Sequence, residues 1–161
     1  MTSRITGRIT SRRKGRILAF QALYCWESTR GSEGDQGIPI EELMAFSWLG
    51  AEKQESLDES IAVFSRLLIA GTIENITAID DIIKKHLQNW DISRLNRVDL
   101  AILRMSVYTL MYQHEIAPSI VIDEAIGISM EFGTDDSFRF VNGVLDSIHK
   151  TLLAEKGAAA R

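Results

Sequence analysis

LNRVDLAILRMSVYTLMY, residues 95 to 112, decides the fold. Its apolar side chains fall at Leu95, Val98, Ala101, Ile102, Met105, Tyr108 and Tyr112, steps of three and four that close on one face of a helix. Asp91 or Ser93 is suited to open it. Downstream, Pro118 resets the chain, and Val121, Ile122, Ala125, Ile126, Ser129 and Phe132 mark a second helix that Gly133 ends. A third follows Thr134, with Phe138, Val141, Leu145, Ile148 and Leu152 inward. Thr134 or Asp135 would cap it, and the period runs straight through Asn142 and Gly143, where a glycine would admit a close helix or backbone.

Upstream the same period continues. Ile61, Phe64, Leu68, Ile76, Ile79, Ile83 and Leu87 predict one long helix from Asp58, with Gly71 as its bend point. Pro39 starts a short helix carrying Leu43, Met44 and Phe46, which Gly50 ends. Ser11 caps a helix running to about Thr29, with Ile17, Phe20, Leu23, Tyr24 and Cys25 toward a core. GSEGDQG, residues 31 to 37, is a loop. Residues 1 to 10 show no helical period and read as a flexible basic arm, and the GAAAR tail as frayed. No segment alternates at period two, so the fold class is all-α, a compact antiparallel arrangement of about seven helices.

With 161 residues, 45% hydrophobic and 25% charged, the chain has material for one domain with a core that needs no staples. The single Cys25 excludes an internal disulfide. The net charge of -4 hides an asymmetry: six cations and no acid lie in the first sixteen residues, leaving 12 basic against 22 acidic residues, or -10, in the body. A basic end on an acidic body points to one localised anionic partner. The same Arg- and Ser/Thr-rich start also has the composition of an organellar transit peptide. No apolar run approaches the ~20 residues of a membrane span, so a cytoplasmic protein without membrane contact is expected.

Catalytic patterns do not emerge. His86, His114 and His149 are far apart, no pair of Cys or His has zinc spacing, and the glycine cluster follows no strand. The acid pairs Asp80/Asp81 and Asp123/Glu124 diverge by about 100° on a helix. A non-enzymatic chain without metal or cofactor is expected.

Two clusters do carry chemistry. SRRKGRILAFQALYCWE, residues 11 to 27, puts Arg12, Arg13, Lys14 and Arg16 in the first turns of a helix, where the dipole favours acids. Fanned around the helix end, they can grip successive phosphates of a bent single strand; the plainer reading is a solubilising basic end. In GTDDSFRFVNGVLDS, residues 133 to 147, Phe138 and Phe140 are two apart and cannot share one stripe. Phe138 fits inward, leaving Phe140 as a stacking platform, while Asp136 can accept hydrogen bonds from base amino groups.

These two runs, with LNRVDLAILRMSVYTLMY and IAPSIVIDEAIGISMEFG (116 to 133), closely resemble the NusB family of bacterial transcription antitermination factors, FVNGVLD being the most specific piece. Strong resemblance covers residues 11 to 27 and 95 to 148. It implies a single helical domain over 11–155 built of two small bundles, about 11–90 and 91–155, before a tail at 156–161. It also implies a non-enzymatic role in ribosomal RNA synthesis: binding the single-stranded boxA element of nascent RNA with NusE, a small-subunit ribosomal protein, within the antitermination complex of RNA polymerase. The RNA-binding residues it implies are Arg12, Arg13, Lys14, Arg16, Tyr24, Asp136 and Phe140, with His86 and Asp99 aligned less securely. Tyr24 would expose only its phenol end. Three departures stand out: ten additional residues with Arg4 and Arg8 before the arginine cluster, Met130 where many members have lysine, and Gly127 within a helix.

Two rival readings stay open at this point. One is an RNA-binding domain related to ribosomal RNA methyltransferases, although the chain carries no cofactor loop. The other is a stand-alone helical interaction module that buries its arginine helix in a homodimer.

Overall fold

The computed structural model describes residues 2–30, 37–88 and 91–159, with the backbone alone for residues 2–10. Among the described residues there are eight α-helices, one 3-10 turn and no strand: α1 (Thr2–Thr29), α2 (Ile40–Ala45), α3 (Ala51–Glu55), α4 (Glu59–Glu74), α5 (Ile76–Lys85), the turn Ile92–Arg94, α6 (Arg97–Tyr112), α7 (Pro118–Phe132) and α8 (Ser137–Ala159). No single helix among them is long and apolar enough to cross a membrane. The chain divides into two compact units, residues 1–74 and 75–161.

In the first unit α4 packs against α1 and α2. Leu18, Ala19, Phe20, Ala22, Leu23 and Trp26 of α1 meet Ala62, Phe64, Leu68 and Ile69 of α4 in the core. Tyr24 stays exposed, and Ile17 and Cys25 are half-buried. Burial pushes the Cys25 thiol up from its ordinary pKa. The helical backbone of α1 begins at Thr2 rather than Ser11, so the stretch expected as an irregular arm continues the helix. No proline interrupts residues 2–10, and helix propagation costs less than nucleation. Pro39 precedes α2 as expected, and Phe46, fully buried, closes it in the left-handed region with φ 57°. Gly50 does not end that helix; it precedes α3, which the apolar pattern gave no sign of.

The long helix expected from Asp58 is two helices. The break falls at Asn75 (φ -110°, ψ 19°), while Gly71 sits buried inside an intact α4. The boundary between units therefore comes at residue 74 rather than near 90, because α5 packs on α6 and α8.

The second unit is built around α6, which α5, α7 and α8 all contact. Residues Asp99 to Leu110 are buried without interruption, so α6 is surrounded rather than seated on one stripe. Its polar members need partners there, and Arg104 finds Asp80 of α5 through two hydrogen bonds of 2.9 Å each. Asn96, not Asp91 or Ser93, caps α6, its Oδ1 accepting the Val98 N–H at 2.8 Å. Asp91 caps the preceding turn by accepting from the Ser93 N–H at 3.0 Å, which holds its carboxyl below the usual range. Pro118 occupies the first turn of α7, and Gly133 ends it. The helical tail persists to Ala159; the loop expected at 31–37 lies outside the described residues except for its last position.

Candidate nucleic-acid interface

The basic run owes its arrangement to a residue forty-eight positions further along the chain. Phe64 of α4 lies against Gly15 of α1, and the guanidiniums of Arg12 and Arg16 both stand over its ring, at 4.2 and 5.4 Å from the centroid. Positions 12 and 16 share a helix face, so one ring can hold both. The two arginines differ in exposure. Arg12 is exposed, whereas Arg16 is only 8% exposed. Lys14 is exposed and Arg13 half-buried. Of the four cations expected to grip phosphates, Arg16 is thus a packing residue, its apolar stem and guanidinium closing the seam between α1 and α4. Tyr24, two turns along α1, keeps 37% of its surface exposed. The side chains of Arg4 and Arg8 lie outside those described.

The remaining candidates belong to the second unit. Asp136 is exposed just before α8, and its carbonyl accepts the Phe140 N–H at 3.2 Å. Phe140 is half-exposed, but so is Phe138, which was expected in the core. The buried face of α8 is Ser137, Val141, Val144, Leu145 and Ile148, and residues 138 and 140 flank it on opposite sides. The Arg139 guanidinium stands 5.3 Å from the Phe138 centroid. Ser137 organises this corner: its hydroxyl accepts the Thr134 N–H at 2.9 Å and lies 3.1 Å from the Thr134 hydroxyl. A Cβ on Gly133 would come within 2.6 Å of that side chain, which is why the connection needs glycine. Gly143, expected to admit a close neighbour, faces open space.

Asp99 and His86 sit differently from what base contact requires. Asp99 is buried at 7% exposure, with Oδ1 lacking a partner. Desolvation pushes its carboxyl pKa up, and a hydrogen bond from Ser137 opposes the shift only in part. It is an interior group behind the α8 corner. His86 has both ring nitrogens engaged, Nδ1 at 2.7 Å from the Ser147 hydroxyl and Nε2 at 3.3 Å from that of Thr151. It pins the end of α5 to α8. Among the described residues no cluster of His, Cys, Asp or Glu is arranged to hold a metal ion.

Phe64 is the residue that sequence reasoning missed, having been read as core alone. Gly15 was the available signal, since a glycine inside a helix costs about 1 kcal/mol and marks a close approach.

The family model described as the NusB family matches residues 13–150. The chain belongs to the NusB family. A transcription antitermination protein NusB from Treponema denticola is 51% identical over 138 residues, covering 85% of this chain and 94% of its own. The NusB structure from T. maritima superposes with a TM-score of 0.73 at 36% identity, over 86% of this chain and 90% of that one. A structure of NusB and NusE in complex with dsRNA gives 0.73 at 27% identity, covering 88% and 98%. The NusB match begins at Arg13 and so takes in Lys14, Arg16 and every second-unit candidate.

Proposed function

We propose that the protein is an RNA-binding transcription antitermination factor that holds boxA-type single-stranded RNA together with NusE, as part of the antitermination complex of RNA polymerase, and so supports ribosomal RNA transcription in the cytoplasm. The observation that carries this reading is the pair of exposed cations, Arg12 and Lys14, which lie about three turns inside α1 rather than at its start, on a helix that carries no acid before Glu27. Arg12, Arg13 and Lys14 contact phosphates; Tyr24, Asp136 and Phe140 contact bases. Arg16, Asp99 and His86 hold these groups in place from behind.

The family relationship supports the reading, as does the neighbouring NusB structure that contains NusE and RNA. So does the charge balance: a body of -10 limits what the basic helix can bind alone, and a basic ribosomal protein supplies the rest.

The test is a titration of labelled boxA-type RNA with and without NusE, against a scrambled strand and a duplex of equal length. NusE should tighten binding to the boxA strand above both controls. Equal binding of the scrambled strand removes sequence-selective recognition. Replacing Arg12 and Arg13 together by Ala should flatten the log–log salt slope by about 1.4.

A further inference from the structure

We propose that the groove between α1, α2 and α4 seats one unpaired nucleotide of the bound RNA, with the outer face of Arg12 as its stacking surface. This rests on the single-strand reading above and adds to it a place for a base on the first unit.

Three features of the groove converge on that ligand. The Arg12 guanidinium carbon stands over Phe64, 4.2 Å from the centroid of a ring only 6% exposed, while the arginine itself is exposed. The ring holds the guanidinium in place before RNA arrives, which lowers the ordering cost of binding, and a planar, exposed cation has the shape and charge that stack on a nucleobase. Val63 and Leu67, one turn apart on α4, line the same groove as Arg12 and are 56% and 50% exposed, an apolar surface within it. Arg66 completes the wall. Its Nε donates to the Met44 carbonyl at 2.9 Å and its guanidinium meets Glu59 at 3.3 Å, so a donor and an acceptor stand side by side for a base edge.

A planar cation, an apolar floor and a polar edge are what single-strand sites use to hold a splayed base. The groove's volume of about 920 Å³ falls within the ~300–1,000 Å³ of small-ligand sites. Glu59 offsets the charge of Arg66, which leaves Arg12 as the groove's cation for the phosphate while the base occupies the interior. A second copy of the chain fits less well: two aliphatic side chains flanked by two arginines fall short of the ~800 Å² per partner that a stable dimer buries.

Arg12→Lys keeps the charge and removes the plate. With NusE and a labelled single-stranded boxA-type RNA, it should bind about fivefold more weakly at an unchanged salt slope. Leu67→Ser should bind about threefold more weakly. Both positions are exposed, so their thermal melts should match the wild type. RNA carrying 4-thiouridine should cross-link to the peptide containing Val63 and Leu67.

Wild-type affinity in Arg12→Lys, or cross-links confined to other peptides, overturns the nucleotide seat while leaving the functional reading intact. A Leu67→Ser variant that dissociates a dimer in light scattering yet keeps its RNA affinity also overturns it, and assigns the face to a second copy. A wild type that binds none of the RNAs removes the functional reading itself, and the seat with it.

Discussion

A Cβ placed on Gly15 would stand 2.5 Å from Cδ1 of Phe64, closer than two carbons can approach. The glycine in the basic run is therefore the socket for the ring that carries Arg12 and Arg16. Gly15→Ala should force the ring outward, costing about 1–3 kcal/mol through overpacking despite alanine's better helix propensity. Urea unfolding should show the lower midpoint, and RNA titration should show weaker binding although no charge has changed.

Arg16 and Lys14 should separate cleanly. Arg16→Ala opens the α1–α4 seam, with an expected loss of about 1–3 kcal/mol in stability. Lys14→Ala should leave the melting temperature within about a degree and flatten the RNA salt slope by about 0.7. Paired thermal melts and salt titrations check both. An Arg16→Ala variant as stable as the wild type would return that residue to the RNA.

Asp80 and Arg104 tie α5 to α6 through two bonds of 2.9 Å, with the arginine side chain only 6% exposed. Asp80→Ala removes both of these bonds from a buried guanidinium and should cost about 3 kcal/mol. Urea denaturation provides the measurement. Replacing both partners by apolar residues should recover part of that loss, since neither charge then remains to be solvated.

Asp99 sets a pH dependence. Burial raises its carboxyl pKa in the folded state above the unfolded value, so the folded protein binds the proton more tightly. Its ionised form costs stability at neutral pH, and that cost disappears as pH falls below the unfolded carboxylate value. Asp99→Asn should therefore melt higher than the wild type at pH 7, with the difference shrinking toward pH 4. Thermal melts across that range check the sign; a gap that widens on acidification contradicts it.

The helical class and the helix starting at Pro118 were legible because a 3.6-residue period and a proline act locally. The break at Asn75 was not, since asparagine interrupts a helix only weakly and Gly71 is the more conspicuous breaker in the sequence. The uninterrupted burial of α6 was hidden by Asp99 and Arg104, whose charges suggest a solvated face until Asp80 and Ser137 are brought beside them. In the candidate site the clustering of the cations was visible, but their division of labour was not. One ring from α4 decides it, and a buried phenylalanine follows the same spacing whatever lies on its face. Phe138 and Phe140 were correctly taken to diverge, yet both flank the buried face instead of one lying inside it.

The burial of Arg16 ties the chain's maturation to its grip. Until α1 and α4 have closed, Arg12 has no ordered ring to rest on and presents no defined surface. An unfolded copy keeps the same charges but loses this placement, so only the closed unit offers Arg12 at a fixed position.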